Sequence, residues 1–263
     1  MSSNYLDRFK NRVNRSGDNV GDTYANNTIS FIEATFSDTP TFRQPEVISY
    51  EFPDINTIDV RAVEVEVMGT LRQLLFRPFQ GLNLGCYLKF DGFTWLLIDQ
   101  WGDKNNYKYT AYVERCNSFL KWKDKDGNIQ KIDCIASQSP LGSKAFRGKE
   151  DIQWNKFDVN LQIGQLYVYA EKNPTTEKIT INQRFILGNT VYEIFGFDDV
   201  SVVNQQGYGI IQMIAKICTK QDADDFVNGI AFNQYEQPSN VTVEITDANV
   251  GLPNNDTNGG KIW

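Results

Sequence analysis

The side chains of this chain that could do chemistry are acids, a few cations and a crowd of aromatics, because its 263 residues include no histidine. Ser-His-Asp and Cys-His catalysis, histidine metal ligands and histidine pH switches are therefore excluded by inspection. Asp124-Lys-Asp126-Gly127-Asn128 offers alternating oxygens before a sharp turn, as a calcium loop requires. The spacing refuses that chemistry: glycine comes fourth rather than sixth, and Ile135 stands where the glutamate at position twelve belongs, so the segment reads as a hairpin turn. Asp198-Asp199 and Asp222/Asp224/Asp225 could bring two carboxylates together for glycoside hydrolysis or a divalent cation. No phosphate cradle, nucleophile elbow or paired metal motif accompanies them, and adjacent acids on turns are ordinarily solvated.

Lys144, Arg147 and Lys149 form a basic cluster on a polar loop, suited to a phosphate backbone or an acidic neighbouring subunit, with a solvated loop as the default. Phe79, Phe93, Trp95, Trp101, Tyr107, Tyr109, Tyr112, Phe119 and Trp122 crowd one stretch, as in an oligonucleotide-binding barrel. Aromatics in strands more often build cores and subunit interfaces, and that is the reading preferred here. The residues yield no catalytic, cofactor-binding or metal site. The expectation is a protein that is not an enzyme, uses no cofactor and works by contact.

Composition agrees. With 41% hydrophobic and 22% charged residues the chain is ordinary globular material, long enough for one large domain or two compact ones. Its 26 Lys and Arg against 33 Asp and Glu give a net charge of −7, which argues against binding that runs on neutralised phosphates. The polar N-terminus and the lack of any run near the roughly eighteen apolar residues of a membrane span predict a soluble protein made in the cytoplasm. Cys86, Cys116, Cys134 and Cys218 include no C-x-x-C pair and read as buried, reduced and apolar.

The elements that would carry these residues fall into regions. Residues 1–45 read as a helical arm: Tyr5, Phe9 and Val13 recur at i, i+4, i+8, Gly17-Asp18-Asn19 breaks the run, and Tyr24, Thr28, Phe31, Ile32, Thr35 and Phe36 form a second stripe. Ser37-Asp38-Thr39-Pro40 stops it, since the residue before proline avoids helical angles. Such an arm either docks on another molecule or lies on its own barrel. Residues 46–136 read as a first small antiparallel barrel or sandwich, with Asp91-Gly92 and Asp126-Gly127 as hairpin turns between β-rich runs. Residues 137–157 form a polar loop, and residues 158–237 a second β unit with strands near 159–163, 166–169, 185–195 and 210–218. Residues 238–263 read as a flexible acidic tail in which Val241-Thr-Val-Glu-Ile245 alone has the strand pattern. The fold class expected is mainly β, two small barrel or sandwich units with a helical arm and a tail.

An internal repeat runs through the two units. Tyr87-Leu88, Asp91-Gly92, Trp95, Leu97 and Cys116 line up with Phe185-Ile186, Gly188-Asn189, Tyr192, Ile194 and Cys218, with a turn one residue shorter in the second copy and a longer run to the cysteine. Each unit would pack a hairpin aromatic against a strand that ends in a small thiol.

Four segments carry a family resemblance: Tyr5-Leu-Asp-Arg-Phe-Lys-Asn-Arg-Val-Asn-Arg-Ser-Gly, Phe36-Ser-Asp-Thr-Pro40-Thr-Phe42, Gly85-Cys-Tyr-Leu-Lys-Phe-Asp-Gly-Phe-Thr-Trp-Leu-Leu-Ile, and Glu114-Arg-Cys-Asn-Ser-Phe-Leu-Lys-Trp-Lys-Asp-Lys-Asp-Gly-Asn-Ile. The chain resembles minor structural proteins of tailed bacteriophages, in particular those of the head-to-tail connector or neck. The strand, Asp-Gly, Trp, strand element is also similar to the small β-barrel of head-closure (stopper) and tail-joining proteins.

The resemblance implies a virion protein at the head–tail junction, assembled in the bacterial cytoplasm, with no functional residues to carry over. Its partners would be further copies in a ring, a portal or adaptor protein, and tail proteins. Genomic DNA would pass without sequence-specific contact, and no membrane would be involved. Within structure the alternatives are a tail terminator, a tail tube or a baseplate protein; from another class, a carbohydrate- or cell-wall-binding module. The arm (residues 5–36), the loop Ser137 to Asp151 and the loop Asp198 to Tyr208 are the candidate contact segments.

Overall fold

A computed structural model describes residues 9, 20–65, 69–102, 109–138 and 163–233. One helix, α1 (Val20–Thr35), precedes β1 (Phe42–Arg43), β2 (Glu46–Ile48), β3 (Val60–Glu64), β4 (Leu71–Phe76), β5 (Tyr87–Phe90), β6 (Phe93–Gly102) and β7 (Tyr109–Arg115). Then come β8 (Ser118–Lys123), β9 (Ile129–Ser137), β10 (Gln165–Lys172), β11 (Arg184–Leu187), β12 (Thr190–Asp198) and β13 (Gly209–Ile217). The protein is mainly β, as its strand and turn patterns predict. The first helix expected in the arm, most of the 137–157 loop and the acidic tail lie outside the described residues.

The strands make two antiparallel sheets, one in the order β1-β3-β4-β7-β6-β5-β2 and the other in the order β11-β12-β13-β10-β9-β8. The first curls into a half-barrel around Leu74, Phe76, Leu88, Trp95, Leu97 and Val113, all fully or almost fully buried. The second is a nearly closed barrel around Leu120, Trp122, Val168, Phe185, Ile194 and Met213. Both Asp-Gly hairpins form where the sequence places them. Asp91 (φ 50°) and Gly92 (φ 79°) both take the left-handed angles that a two-residue type I′ turn demands, which is why these residue types mark it.

The β8–β9 hairpin corrects the expected unit boundary, because it belongs to the second barrel rather than to the first. The switch is made across one peptide. The Cys116 N–H donates to the Thr94 carbonyl in the first sheet, while the Asn117 N–H donates to the Cys134 carbonyl in the second. The Asn117 side chain fixes the crossing, donating to the Ala136 carbonyl and accepting from the Ala136 N–H, both at 2.8 Å.

The internal repeat is present and deeper than the sequence suggests. Strands β3-β4-β7-β6-β5 and β9-β10-β13-β12-β11 occupy the same order, all antiparallel. Leu88 faces Trp95 as Phe185 faces Tyr192, and both hairpin turns have two residues, which corrects the expected shorter second turn: Leu88, not Tyr87, is the counterpart of Phe185. A bulge follows Leu97 in β6 and its counterpart Ile194 in β12. Backbone N–H groups of Cys116 and Cys218 close equivalent bonds, to Thr94 and Val191.

A third apolar cluster joins the sheets: Leu71, Tyr87, Leu96 and Ile98 of the first pack on Ile135, Tyr167, Tyr169 and Ile210 of the second. Over Tyr87–Leu88 and Trp95–Ile98, strands β5 and β6 are thus buried on both faces, one toward their own core and one toward this seam. The backbones meet here as well. Gly85 (φ 89°) lies so close to Gly209 that a Cβ at either position would collide with main chain, Gly85 with the Gly209 carbonyl and Gly209 with that of Val202.

Candidate interaction surface

Of the acids singled out in the sequence, Asp124, Asp198, Asp199, Asp224 and Asp225 bond within the chain, and Asp222 is exposed. Asp124 accepts from the N–H groups of Asp126 and Asn128 and from the Gln130 amide, fastening its own hairpin. Asp198 accepts from the Val200 and Ser201 N–H groups. Asp199 faces Lys172 at 3.6 Å. Asp225 accepts from Asn228.

Asp224 is a correction, since it is not solvated at all. Its carboxylate is fully buried and paired in a two-point contact with Arg184, both bonds at 2.9 Å, while Gln221 and Phe232 donate their backbone N–H groups to it. Burial opposes the charge, but those four donors outweigh it and hold the carboxyl below its ordinary range. Arg184 also donates to the Thr219 and Phe232 carbonyls, so the pair pins segment 219–233 onto β11. No group of three metal-ligating side chains occurs among the described residues.

The aromatics divide. Trp95, stacked on Phe90 at 5.1 Å, and Trp122, edge-on to Phe185 at 5.7 Å, are core. Phe79, Phe93 and Phe119 are exposed. Tyr107 and the Trp101 side chain lie outside the described residues, as does the Lys144/Arg147/Lys149 cluster.

What remains is surface built for contact. Helix α1 is clamped at its C-terminal end, where buried Phe36 lies between the guanidiniums of Arg61 (4.7 Å) and Arg77 (4.6 Å). Arg61 donates to the Phe36 carbonyl and to Thr35, and Arg77 reaches Glu33 (2.7 Å), Ser37 and Asp59 (2.6 Å). Burial works against the Asp59 charge, yet bonds from Gln44 and Arg77 outweigh it and hold its carboxyl low. Beyond this clamp the aromatic stripe of the helix faces outward: Tyr24 is 71% and Phe31 69% exposed. The sequence could not choose between an arm that docks elsewhere and a helix lying on its own barrel. The structure shows a helix anchored at one end with two of its aromatic side chains, Tyr24 and Phe31, uncovered and with Ile29 and Ile32 half-buried.

A second surface lies at the seam of the six-stranded barrel. Its edge strands β8 and β11 meet at Trp122 and Phe185, and beside their other ends opens a groove of about 730 Å³. Phe119 and Lys121 of β8, Ile186 and Gly188 of the β11 hairpin, Phe93 of the first half-barrel, and Phe226 and Val227 line it. Val227 is 96% exposed. Three exposed rings carry a cation each: Arg115 over Phe93, Lys131 over Phe119 and Lys220 over Phe226, all within 4.7 Å. Sequence reasoning missed this groove, because its walls come from both units and from segment 226–229, and no local pattern links them.

Comparison with known proteins bears on one half of the molecule. A family model described as the YomX C-terminal domain matches residues 118–216, a span that runs from the start of β8 almost to the end of β13 and so coincides with the six-stranded barrel. The match suggests a phage-associated protein. No curated protein matches the chain. Among solved structures, apo MrkH of K. pneumonia is 8% identical and covers 75% of this chain and 85% of its own, with a TM-score of 0.23. The P2(1) crystal of K. pneumonia MrkH gives the same identity and coverage with a TM-score of 0.24. The MrkH-c-di-GMP complex is 10% identical, covers 74% and 86%, and has a TM-score of 0.22. Likenesses this slight carry no argument about ligand or role.

Proposed function

We propose that this chain is a structural virion protein of a tailed phage that assembles into a ring at the head–tail junction, where it docks a portal or adaptor protein on one side and tail proteins on the other. The observation that carries the proposal is helix α1: it is anchored to the half-barrel by Phe36 and its two arginines while Tyr24 and Phe31 stand in solvent. Exposed apolar side chains on a tethered helix are an interface awaiting its partner. The two sheets of the body that carries the arm share the seam cluster, which suits a subunit that transmits force. The phage association of the matched domain and the net charge of −7, which lets a genome pass without being gripped, support the same reading.

Light scattering over a concentration series, followed by negative-stain imaging with and without the protein encoded beside it, tests the proposal. Rings, alone or stacked on a partner's ring, are expected, and Tyr24→Ser with Phe31→Ser should abolish them while leaving the β body folded. A strict monomer that ignores virion partners yet binds a glycan or single-stranded DNA overturns the reading.

A further inference from the structure

A closed ring of more than two identical chains is joined by head-to-tail contacts, and each chain must then carry two different surfaces that fit one another. This chain offers such a pair. One is helix α1, whose exposed Tyr24, Thr28 and Phe31 have the i, i+4, i+7 spacing of a helix that lies in a groove. The two rings stand about 10 Å apart along the axis. The other is the groove of about 730 Å³ beside β8, a volume that buries a drug-sized molecule and so has room for two aromatic side chains.

The groove is built before any partner arrives. Lys121 donates to the Asn228 carbonyl at 2.8 Å, the Asp225 carboxylate accepts from the Asn228 backbone and side-chain N–H groups, and Asp225 and Ile230 exchange backbone bonds of 2.9 Å. These bonds fix the 225–230 turn with Val227 almost bare, so little ordering remains to be done on binding. The two surfaces also match in charge. Helix α1 carries Asp22 and Glu33 and no cation; Glu33 sits at the clamp with Arg77, and Asp22 lies in the first turn beside Tyr24. Lys121 lines the groove, and Arg115, Lys131 and Lys220 stand over its exposed rings, with Asp133 the one acid in the described lining. Aromatic side chains entering here would bury ring against ring with cations alongside.

We propose that helix α1 of one copy docks in this groove of the next, closing the ring head to tail. The proposal rests on the ring reading above and assigns the two surfaces that meet. The chain's own helix is not the occupant: clamped to Arg61 and Arg77 through Glu33, Thr35 and Phe36, α1 supplies none of the described lining of the groove. Helix against helix would pair two copies about a twofold axis and stop at a dimer.

Sedimentation velocity on full-length variants tests this. The helix variant, Tyr24→Ser with Phe31→Ser, keeps its groove, and the groove variant, Phe226→Ser with Val227→Asp, keeps its helix. All four side chains are exposed, so both variants should fold, and unchanged melting midpoints verify it. The unaltered chain should assemble as concentration rises, while each variant alone should associate at least about thirtyfold more weakly, the effect of losing one hot-spot side chain. Mixed in equal amounts, the two variants should form a dimer and nothing larger, because one sound helix and one sound groove remain between them. Assembly of the groove variant alone, or a mixture that stays monomeric while the unaltered chain assembles, overturns the inference and leaves the ring reading standing. An unaltered chain that stays monomeric at every concentration overturns the inference as well; the ring reading falls with it only if no rings form on the protein encoded beside it.

Discussion

The hydroxyl of Tyr87 is inserted between β9 and β10, accepting from the Glu171 N–H at 3.1 Å and donating to the Asp133 carbonyl. The register that pairs Val168 with Ala136 and Tyr169 with Ile135 extrapolates to Glu171 opposite Asp133, so a side chain of the half-barrel bridges the place where the second barrel's ladder opens. Burial pushes the Tyr87 phenol well above its ordinary range, and it stays a neutral donor.

Tyr87→Phe removes both bonds and leaves two buried backbone groups without that partner. Each such group costs about 1–3 kcal/mol, and the loss should fall at the seam. Urea denaturation should show a midpoint lowered accordingly, and exchange of the β9 and β10 amides near Asp133 and Glu171 should accelerate more than that of β6. An unchanged midpoint would mean that water takes the place of the hydroxyl.

Gly85→Ala and Gly92→Ala form a matched pair. Both positions have φ near 80–90°, but a Cβ at Gly92 meets open space while one at Gly85 drives into the Gly209 carbonyl. Gly92→Ala should cost about 1–2 kcal/mol, the left-handed penalty alone. Gly85→Ala should cost clearly more, because the two barrels must separate to admit the methyl group. Thermal unfolding of the two variants side by side decides the comparison.

Arg184→Ala strands a fully buried Asp224 carboxylate and should destabilise by about 3–5 kcal/mol. Replacing both residues with apolar ones of similar size should cost less, since no charge is left unpaired and the remaining loss is that of the bonds to the Thr219, Gln221 and Phe232 main chain. Chemical denaturation of the single and double variants gives the difference.

Stability should respond to pH from two sides. Burial raises the Glu171 carboxyl above its ordinary value, more than the bonds from Asn173 and Tyr50 lower it, and the charge of Glu51 adds to the rise. The folded state therefore holds a proton that the unfolded state has released. Stability is greatest below the unfolded value and falls as pH rises through the folded one. Asp59 and Asp224 shift the other way: their stabilisation is present above the unfolded value near 4 and is lost as pH drops through their lowered folded values. Glu171→Gln should flatten the slope above pH 4 and leave the acid limb unchanged in a denaturation series from pH 3 to 8.

The thiols supply a chemical check. Cys86 is pushed up to about 12 by burial, and burial raises Cys116 and Cys134 as well. Since the thiolate is the nucleophile, these three should resist alkylation at pH 8 until the protein unfolds. Cys116 is the sharpest case, being partly accessible at the groove and still unreactive.

Features that one residue pair or one strand dictates were legible in the sequence. The two Asp-Gly turns, the mainly β class and the repeat centred on Trp95 and Tyr192 follow from local rules, because turn geometry and strand alternation are properties of neighbours in the chain. Membership of β8 and β9 in the second barrel was not legible: their alternation says that they are strands but not which edge they join. The repeat was misjudged by one residue because Tyr87-Leu88 and Phe185-Ile186 look alike in type, whereas the ladder pairs Tyr87 with Leu96 and Arg184 with Glu193. Asp224 reads like any surface acid until Arg184, forty residues away, is seen to bury it. The groove draws on five separate stretches and leaves no trace in any one of them.

Each chain carries two editions of one five-stranded plan that differ in surface: one bears the helix clamp of Phe36, Arg61 and Arg77, the other the groove beside β8. Any closed assembly of identical chains would then present twice as many barrels as chains, in alternating kinds. Such an array can offer a partner a coarse periodicity through one kind of barrel, or a period half as long through the plan that both kinds share.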